Sequence, residues 1–439
     1  IKIIERFFDL PLNYDDPNGK KIRIFARNMV PLDKAKTPEE EAKLPYFVYL
    51  QGGPGFEVDM TGHTAMATTI HKEGYQTLWL DPRGTGLSTP FSADLVSDKS
   101  DEEIFEYLKH FRADNIVRDC EAIRKILLGD KIDEKDRKWT ILGQSFGGFC
   151  CLTYLSFYPE GLKEVFIAGG IPPLVNSPEI VYGALAKRVL ARNDVYYNKY
   201  PNDVKRVRDI LAYLDKNSVI LPNGGKLTPN RFLQLGIAFG SQESEDGIDT
   251  VHQLVLRASN DISLFGKLSQ RLLQNVEHDQ TLDGNPLYAI LHEPIYCQGR
   301  ASNWSAERIL KDYPQHSWNH MKTQDNQSPV CFFGEMIFSD MLDDYIGLRP
   351  LKGAAQLLAK FSDWPPLYDE AQLAKNTVKV TAATYYKDMY VDFNLAQITA
   401  SAVQNMEQYI SNQHHHSALR RETELILKKL FQLSKREYD

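Results

Sequence analysis

The sequence predicts an α/β fold: a mostly parallel sheet with helices on both faces and a large inserted helical segment. Three observations carry this. Short continuous apolar runs alternate with helical text over the first third of the chain. Residues 176–345 then read as helical and polar-rich, without strand-like alternation. A strand followed by a helix returns near the C-terminus. Strands that read as unbroken apolar runs are buried on both faces, the mark of a parallel sheet layered between helices.

The elements follow in order. KIRIFARNMV (21–30) has β-type apolar content. PYFVYL (45–50) runs into QGGPG, and QTLWL (76–80) into DPRGTG, so two strands end in Gly-rich loops. Over 104–127, Ile104, Leu108, Phe111, Ile116, Cys120, Ile123 and Leu127 recur at helical spacing and predict a sheet-covering helix. WTIL (139–142) and EVFIAG (164–169) are further buried strands, with the helix FCCLTYLSFY (149–158) between them. Cys150 and Cys151 on that helix read as core packing.

After GGIPP (169–173) the helical text begins, as in EIVYGALAKRVLARNDVYYNKY, VKRVRDILAYLDKN and RFLQLGIAF. VKVTAATYY (378–386) is the one returning strand, and RETELILKKLFQL (421–433) the last helix. A chain of 439 residues exceeds one small core. The expected division is therefore 1–175, first part of the core; 176–345, helical cap; and 346–439, second part of the core.

Composition narrows the partners. Net charge is −7 with no basic block, which disfavours nucleic acid or an anionic membrane surface. Apolar runs fall far short of the roughly 20 residues a membrane helix needs. The opening residues, Ile1-Lys2-Ile3-Ile4-Glu5, carry no charged-then-apolar leader pattern. Five scattered cysteines without a C-x-x-C pair or metal-like spacing read as reduced thiols in a cytoplasmic protein.

The chemistry lies in Gly143-Gln144-Ser145-Phe146-Gly147, a G-x-S-x-G placed between a predicted strand and a predicted helix. A sharp strand-to-helix turn lifts the central hydroxyl, and only small neighbours fit around it. Ser145 then stands at a helix N-terminus, where N–H groups favour developing negative charge. A serine nucleophile needs a base and an orienting acid, which in the α/β-hydrolase order follow it as Asp/Glu and then His. The returning strand runs into Asp388, with Asp392 as its competitor, and the loop before the last helix carries His414-His415-His416. On residue logic His415 and His416 are nearly tied, and two of the three histidines read as solvated loop residues. Three adjacent histidines rarely present three ligands to one ion, so no metal is expected. QGGPG supplies an oxyanion loop, making the N–H groups of Gly53 and Phe146 the expected donors.

Together these residues resemble the prolyl aminopeptidases (proline iminopeptidases), serine exopeptidases with the α/β-hydrolase fold and a helical cap, in their larger-subunit branch. The resemblance spans nearly the whole chain, through QGGPG, DPRGTGLS, GQSFGG, GGIPP, LHEPIYCQG, GEMIF and YYKDMYVDF. It implies Ser145 as nucleophile, Asp388 as orienting acid and His416 as base, the last because Ser417-Ala418-Leu419-Arg420 follows it. It also implies that Glu293 and Glu335 bind the substrate's free amino terminus, in a lining drawn from Ile295, Tyr296, Phe332, Phe333, Met336 and Phe338. Two positions depart from the family: Gln51 stands where His is usual, and Ala418 where Gly is usual. The implied activity is release of an N-terminal residue, preferentially proline, from short peptides, without a cofactor. A broader aminopeptidase or an esterase of the same fold is the alternative. The ring of Phe146 is a further candidate for shaping the proline pocket.

Overall fold

The computed structural model describes residues 1–59, 64–241, 247–325 and 327–436. Eight strands form one sheet: β1 (Lys2–Pro11), β2 (Lys21–Val30), β3 (Tyr46–Leu50), β4 (Gln76–Leu80), β5 (Trp139–Gln144), β6 (Leu162–Ala168), β7 (Lys379–Tyr385) and β8 (Met406–Ser411). Their spatial order is β1-β2-β4-β3-β5-β6-β7-β8. β1 and β2, and β2 and β4, pair antiparallel; every other neighbour pair is parallel.

Helices of eight residues or more are α1 (Thr64–Lys72), α2 (Asp101–Leu108), α3 (Ala113–Leu128), α4 (Phe146–Phe157), α5 (Glu179–Lys199), α6 (Asp203–Lys216), α7 (Gly247–Phe265), α8 (Gln270–Asp279), α9 (Lys352–Lys360), α10 (Phe393–Ala402) and α11 (Thr423–Lys435). The period-2 geometry of the strands explains why their sequences look uniformly apolar. Phe47, Tyr49, Leu142 and Phe166 face a layer that holds Ile70 of α1 and Leu427, Leu430 and Phe431 of α11. Val48, Leu50, Ile141, Val165 and Ile167 face the opposite layer, with α3 and α4. Both faces are buried, so no polar alternation is required.

Three elements differ from the sequence reading. β1 is an edge strand with exposed Ile3 and Phe7, and it adds an antiparallel hairpin at the start of the sheet. β8 is a second C-terminal strand; its half-buried residues Glu407, Gln408 and Tyr409 hid it. The predicted helix over 104–127 is two, α2 and α3, broken at Arg112. The buried Arg112 guanidinium donates to the carbonyls of Pro294, Cys297 and Pro365 at 2.6–3.0 Å, a long-range demand that local periodicity does not carry.

Between β6 and β7 the named elements are all helical, apart from one isolated bridge between Ile220 and Lys226. α6 and α8 pack on α7 within this segment. α9 instead packs on α2, beside the sheet. Among the described residues no helix is long and apolar enough to cross a membrane.

Candidate active site

β5 ends at Gln144 and α4 begins at Phe146, leaving Ser145 alone in the turn with φ 56° and ψ −125°. That backbone is costly for a residue with a Cβ, by about 1–3 kcal/mol, and persists only where the surroundings enforce it. They do: Ser145 N–H donates to Ala168 O at 3.1 Å, and Ser145 O accepts from Gly148 N–H at 2.8 Å. A Cβ on Gly143 would lie 2.2 Å from Gly147 O, and one on Gly147 would lie 2.0 Å from Leu50 O. The glycines of G-x-S-x-G thus let β3, β5 and α4 close together beneath the hydroxyl.

His416 Nε2 lies 2.8 Å from Ser145 Oγ, and its Nδ1 lies 2.8 Å from Asp388 Oδ2. An ionised carboxylate can only accept, so Nδ1 carries the proton and Nε2 is free to accept from the serine hydroxyl. The other oxygen of Asp388 accepts the N–H groups of Tyr390 and Val391 at 2.8 and 3.0 Å. The Tyr390 ring meets the imidazole edge-on, with centroids 4.7 Å apart. Burial opposes the charged imidazole, but the Asp388 charge and hydrogen bond, helped by Glu335, outweigh it and hold the His416 pKa above its ordinary value.

Asp392 has a different task. It caps α10, accepting the N–H groups of Asn394 and Leu395 at 2.9 and 3.0 Å, and takes Arg188 of α5 on its other oxygen. The histidine run is buried throughout, contrary to the solvated reading: His414 packs on Tyr385 at the end of β7 and His416 on Tyr390. His414 Nδ1 lies 2.7 Å from Ser411 Oγ, and it is His416 that reaches both Ser145 and Asp388.

The oxyanion loop is held from two sides. Gln51, in the place where His is usual, accepts the Tyr49 hydroxyl at 3.0 Å and donates to Glu57 O at 2.6 Å. Asp81 of the DPRGTG loop accepts Val58 N–H and Leu87 N–H, each at 3.0 Å. In the same loop the buried Arg83 pairs with Asp119 at 2.7 Å and donates to Leu12 O and His110 O. Phe146 is the first residue of α4, so its N–H has no carbonyl within the helix to bond. Its ring lies behind the elbow, near Leu50, Leu80 and Pro82, and does not line the main cavity. The side chain therefore does not shape the pocket in front of Ser145.

That cavity measures about 530 Å³. Its floor includes Gly53, Gln144, Ser145, His416, Ser417 and Arg420. Residues from the helical segment form the roof, among them Leu235, Ile237, Val251, Leu254, Leu282, Glu335, Met336 and Met341. Glu335 accepts the Tyr288 hydroxyl at 2.7 Å. Glu293 is not among the residues that line the cavity, and its Oε2 is buried without a hydrogen-bond partner among the described residues. It is buried behind the wall, where Oε1 accepts Ala306 N–H of the short helix Ser305–Leu310 at 2.9 Å, and burial raises its pKa. Phe332, Phe333 and Phe338 are likewise off the wall, packed in the core of the helical segment; of the expected lining residues only Met336 faces the cavity.

Sequence reasoning missed Tyr288, Tyr390, Arg420 and the aliphatic roof. Tyr390 lies inside YYKDMYVDF, and Tyr288 lies five residues before Glu293, so their nearness to the motif acids was the available signal. The roof residues come from separate helices and carry no local pattern. All five cysteines are buried and unpaired, and burial raises the pKa of Cys120, Cys150 and Cys151. Among the described residues no group of three or more His, Cys, Asp or Glu could hold a metal ion.

Residues 45–229 match the α/β hydrolase fold family. The chain is 42% identical over 433 residues to proline iminopeptidase aneH of Aspergillus aculeatus, covering 98% of this chain and 93% of that one. It is 38% identical over 430 residues to a proline iminopeptidase of Aeromonas sobria, covering 98% and 96%. A solved proline iminopeptidase structure from Mycobacterium smegmatis aligns over 98% of both chains with a TM-score of 0.41 and 13% identity.

Proposed function

The chain belongs to the proline iminopeptidase family, and from that premise we propose that it releases N-terminal proline from short peptides by serine catalysis. The observation that carries this is the continuous Asp388–His416–Ser145 hydrogen-bonded chain on the floor of a cavity walled by Glu335.

His416 Nε2 takes the Ser145 proton as Oγ attacks the carbonyl carbon of the first residue. The carbonyl oxygen becomes the oxyanion and accepts the N–H groups of Gly53 and Phe146. His416 returns the proton to the departing amine as the C–N bond breaks, leaving a prolyl ester on Ser145. Water, activated by the same imidazole, then frees proline and the serine. Asp388 keeps the proton on Nδ1 throughout and stabilises the imidazolium.

Glu335 anchors the substrate's secondary ammonium, with Tyr288 orienting its carboxylate. Glu293, off the wall, supports the helix that starts at Ser305. Residues 176–345 act as the cap over a core formed by 1–175 and 346–439, which supports restriction to short peptides. A reducing, cytoplasmic setting suits five unpaired thiols.

Turnover of a prolyl arylamide, an alanyl arylamide, an N-acetyl-prolyl arylamide and an aryl ester tests the reading, with Ser145→Ala as control. The free prolyl arylamide is expected to be the best amide substrate. Equal turnover of the blocked and free prolyl compounds would overturn the aminopeptidase assignment and leave an esterase-like hydrolase.

A further inference from the structure

Proton return locates the leaving group. The departing amine takes its proton from His416 Nε2, the atom 2.8 Å from Ser145 Oγ. The residue that carries this amine therefore lies against the segment just after His416. Ser417 and Arg420 of that segment are on the cavity wall.

Arg420 is exposed to the cavity and, among the described residues, forms no ion pair. It donates one long hydrogen bond, 3.3 Å, to the neutral side chain of Gln144, and the Tyr49 hydroxyl and the His416 imidazole are also near it. It is the only Lys or Arg among the described lining residues, and Glu335 and Asp279 are the only carboxylates there. In a chain of net charge −7, a guanidinium beside the nucleophile with no carboxylate partner among the described residues complements an anion on the substrate.

A dipeptide is the shortest substrate that places a carboxylate beside the departing amine. Its amide nitrogen and its terminal carboxyl carbon are about 2.5 Å apart. Arg420 is the third residue of the short helix Ala418–Arg421, four positions after His416. Each added residue carries the carboxylate up to about 3.5 Å further, toward a roof that is mostly apolar.

Resting on the aminopeptidase reading above, we infer that Arg420 binds the free α-carboxylate of the residue following proline, so that the protein selects dipeptides. Glu335 and Arg420 then grip the two charged ends of one zwitterion across Ser145.

The test compares kcat/KM for Pro-Ala and Pro-Ala-NH2, and for Pro-Glu-NH2 and Pro-Gln-NH2, in the wild type, Arg420→Gln and Arg420→Lys. A charge-assisted bond predicts a wild-type preference for Pro-Ala over its amide of roughly tenfold or more. The preference is expected to arise mainly in KM, to shrink with added salt, to vanish in Arg420→Gln and to persist in part in Arg420→Lys. Equal use of acid and amide by the wild type, or a ratio unchanged in Arg420→Gln, overturns the inference and leaves the aminopeptidase reading standing. A larger preference for Pro-Glu-NH2 over Pro-Gln-NH2 than for Pro-Ala over its amide moves the anion to a side chain and overturns the α-carboxylate assignment. Hydrolysis of an aryl ester with none of these peptides cleaved overturns both.

Discussion

Tyr288 donates its hydroxyl to Glu335 at 2.7 Å, and both residues stand on the cavity wall that also holds Ser145 and His416. A carboxylate already oriented by a phenol keeps its remaining lone pairs for an incoming ammonium at a set place relative to the nucleophile. Glu335→Gln is expected to lower kcat/KM for a prolyl arylamide by roughly 10- to 100-fold, the range for a hydrogen bond to a charged group. Tyr288→Phe should give a smaller loss, carried mostly by KM. Full activity in Glu335→Gln would remove it as the amine anchor.

The same carboxylate affects the base. His416 acts only when neutral, and its pKa is held above the ordinary imidazole value by Asp388 and, further out, Glu335. Activity is therefore lost as pH falls through a value above about 6.5, not below it. Removing the Glu335 charge lowers that pKa, so the acidic limb of the kcat/KM profile should move to lower pH in Glu335→Gln. An unmoved limb would break the electrostatic link between the two groups.

The histidine run offers a clean contrast. His416→Ala should lower kcat by at least about 10⁴-fold, as loss of a triad base does. His415→Ala should retain most of the rate, at a cost in stability because the side chain is buried. Loss of turnover in both, with both folded by circular dichroism, would reopen the assignment of the base.

Strain at the elbow is measurable separately from catalysis. Ser145→Ala and Ser145→Gly both remove the nucleophile, but only glycine relaxes a φ of 56°. Ser145→Gly should be the more stable of the two by about 1 kcal/mol in urea melts. Gly147→Ala, with its Cβ forced to 2.0 Å from Leu50 O, should lose about 3 kcal/mol or fail to fold.

Asp388 and Asp392, four residues apart, should separate in the same way. Asp388→Asn is expected to cost about 10⁴-fold in kcat, since the imidazole loses its tautomer partner. Asp392→Ala removes a helix cap and the bond to Arg188. It should cost about 1–2 kcal/mol of stability and far less in kcat.

What the sequence by itself determined were features set by neighbours in the chain. The α/β layering follows from strand and helix periods, and Ser145 stands out because three glycines within six residues are needed wherever a strand turns sharply into a helix. The order of acid and base after the serine pointed to Asp388, and the family resemblance chose His416 over His415 and added Glu293 and Glu335 through motifs that are themselves local. Choices among similar residues a few positions apart were decided by contacts far along the chain. Asp388 reaches the imidazole and Asp392 does not, because one lies in the loop just after β7 and the other is held as the N-cap of α10. Glu335 reaches the cavity while Glu293 turns to Ala306. The split between α2 and α3 follows from three carbonyls that meet Arg112 from beyond residue 290. Arg420 acquired its place by the same route: its sequence says only that it follows the base by four positions. Folding sets it on the wall of the cavity that also holds Ser145 and Glu335, and periodicity holds no record of which side chains converge on one space.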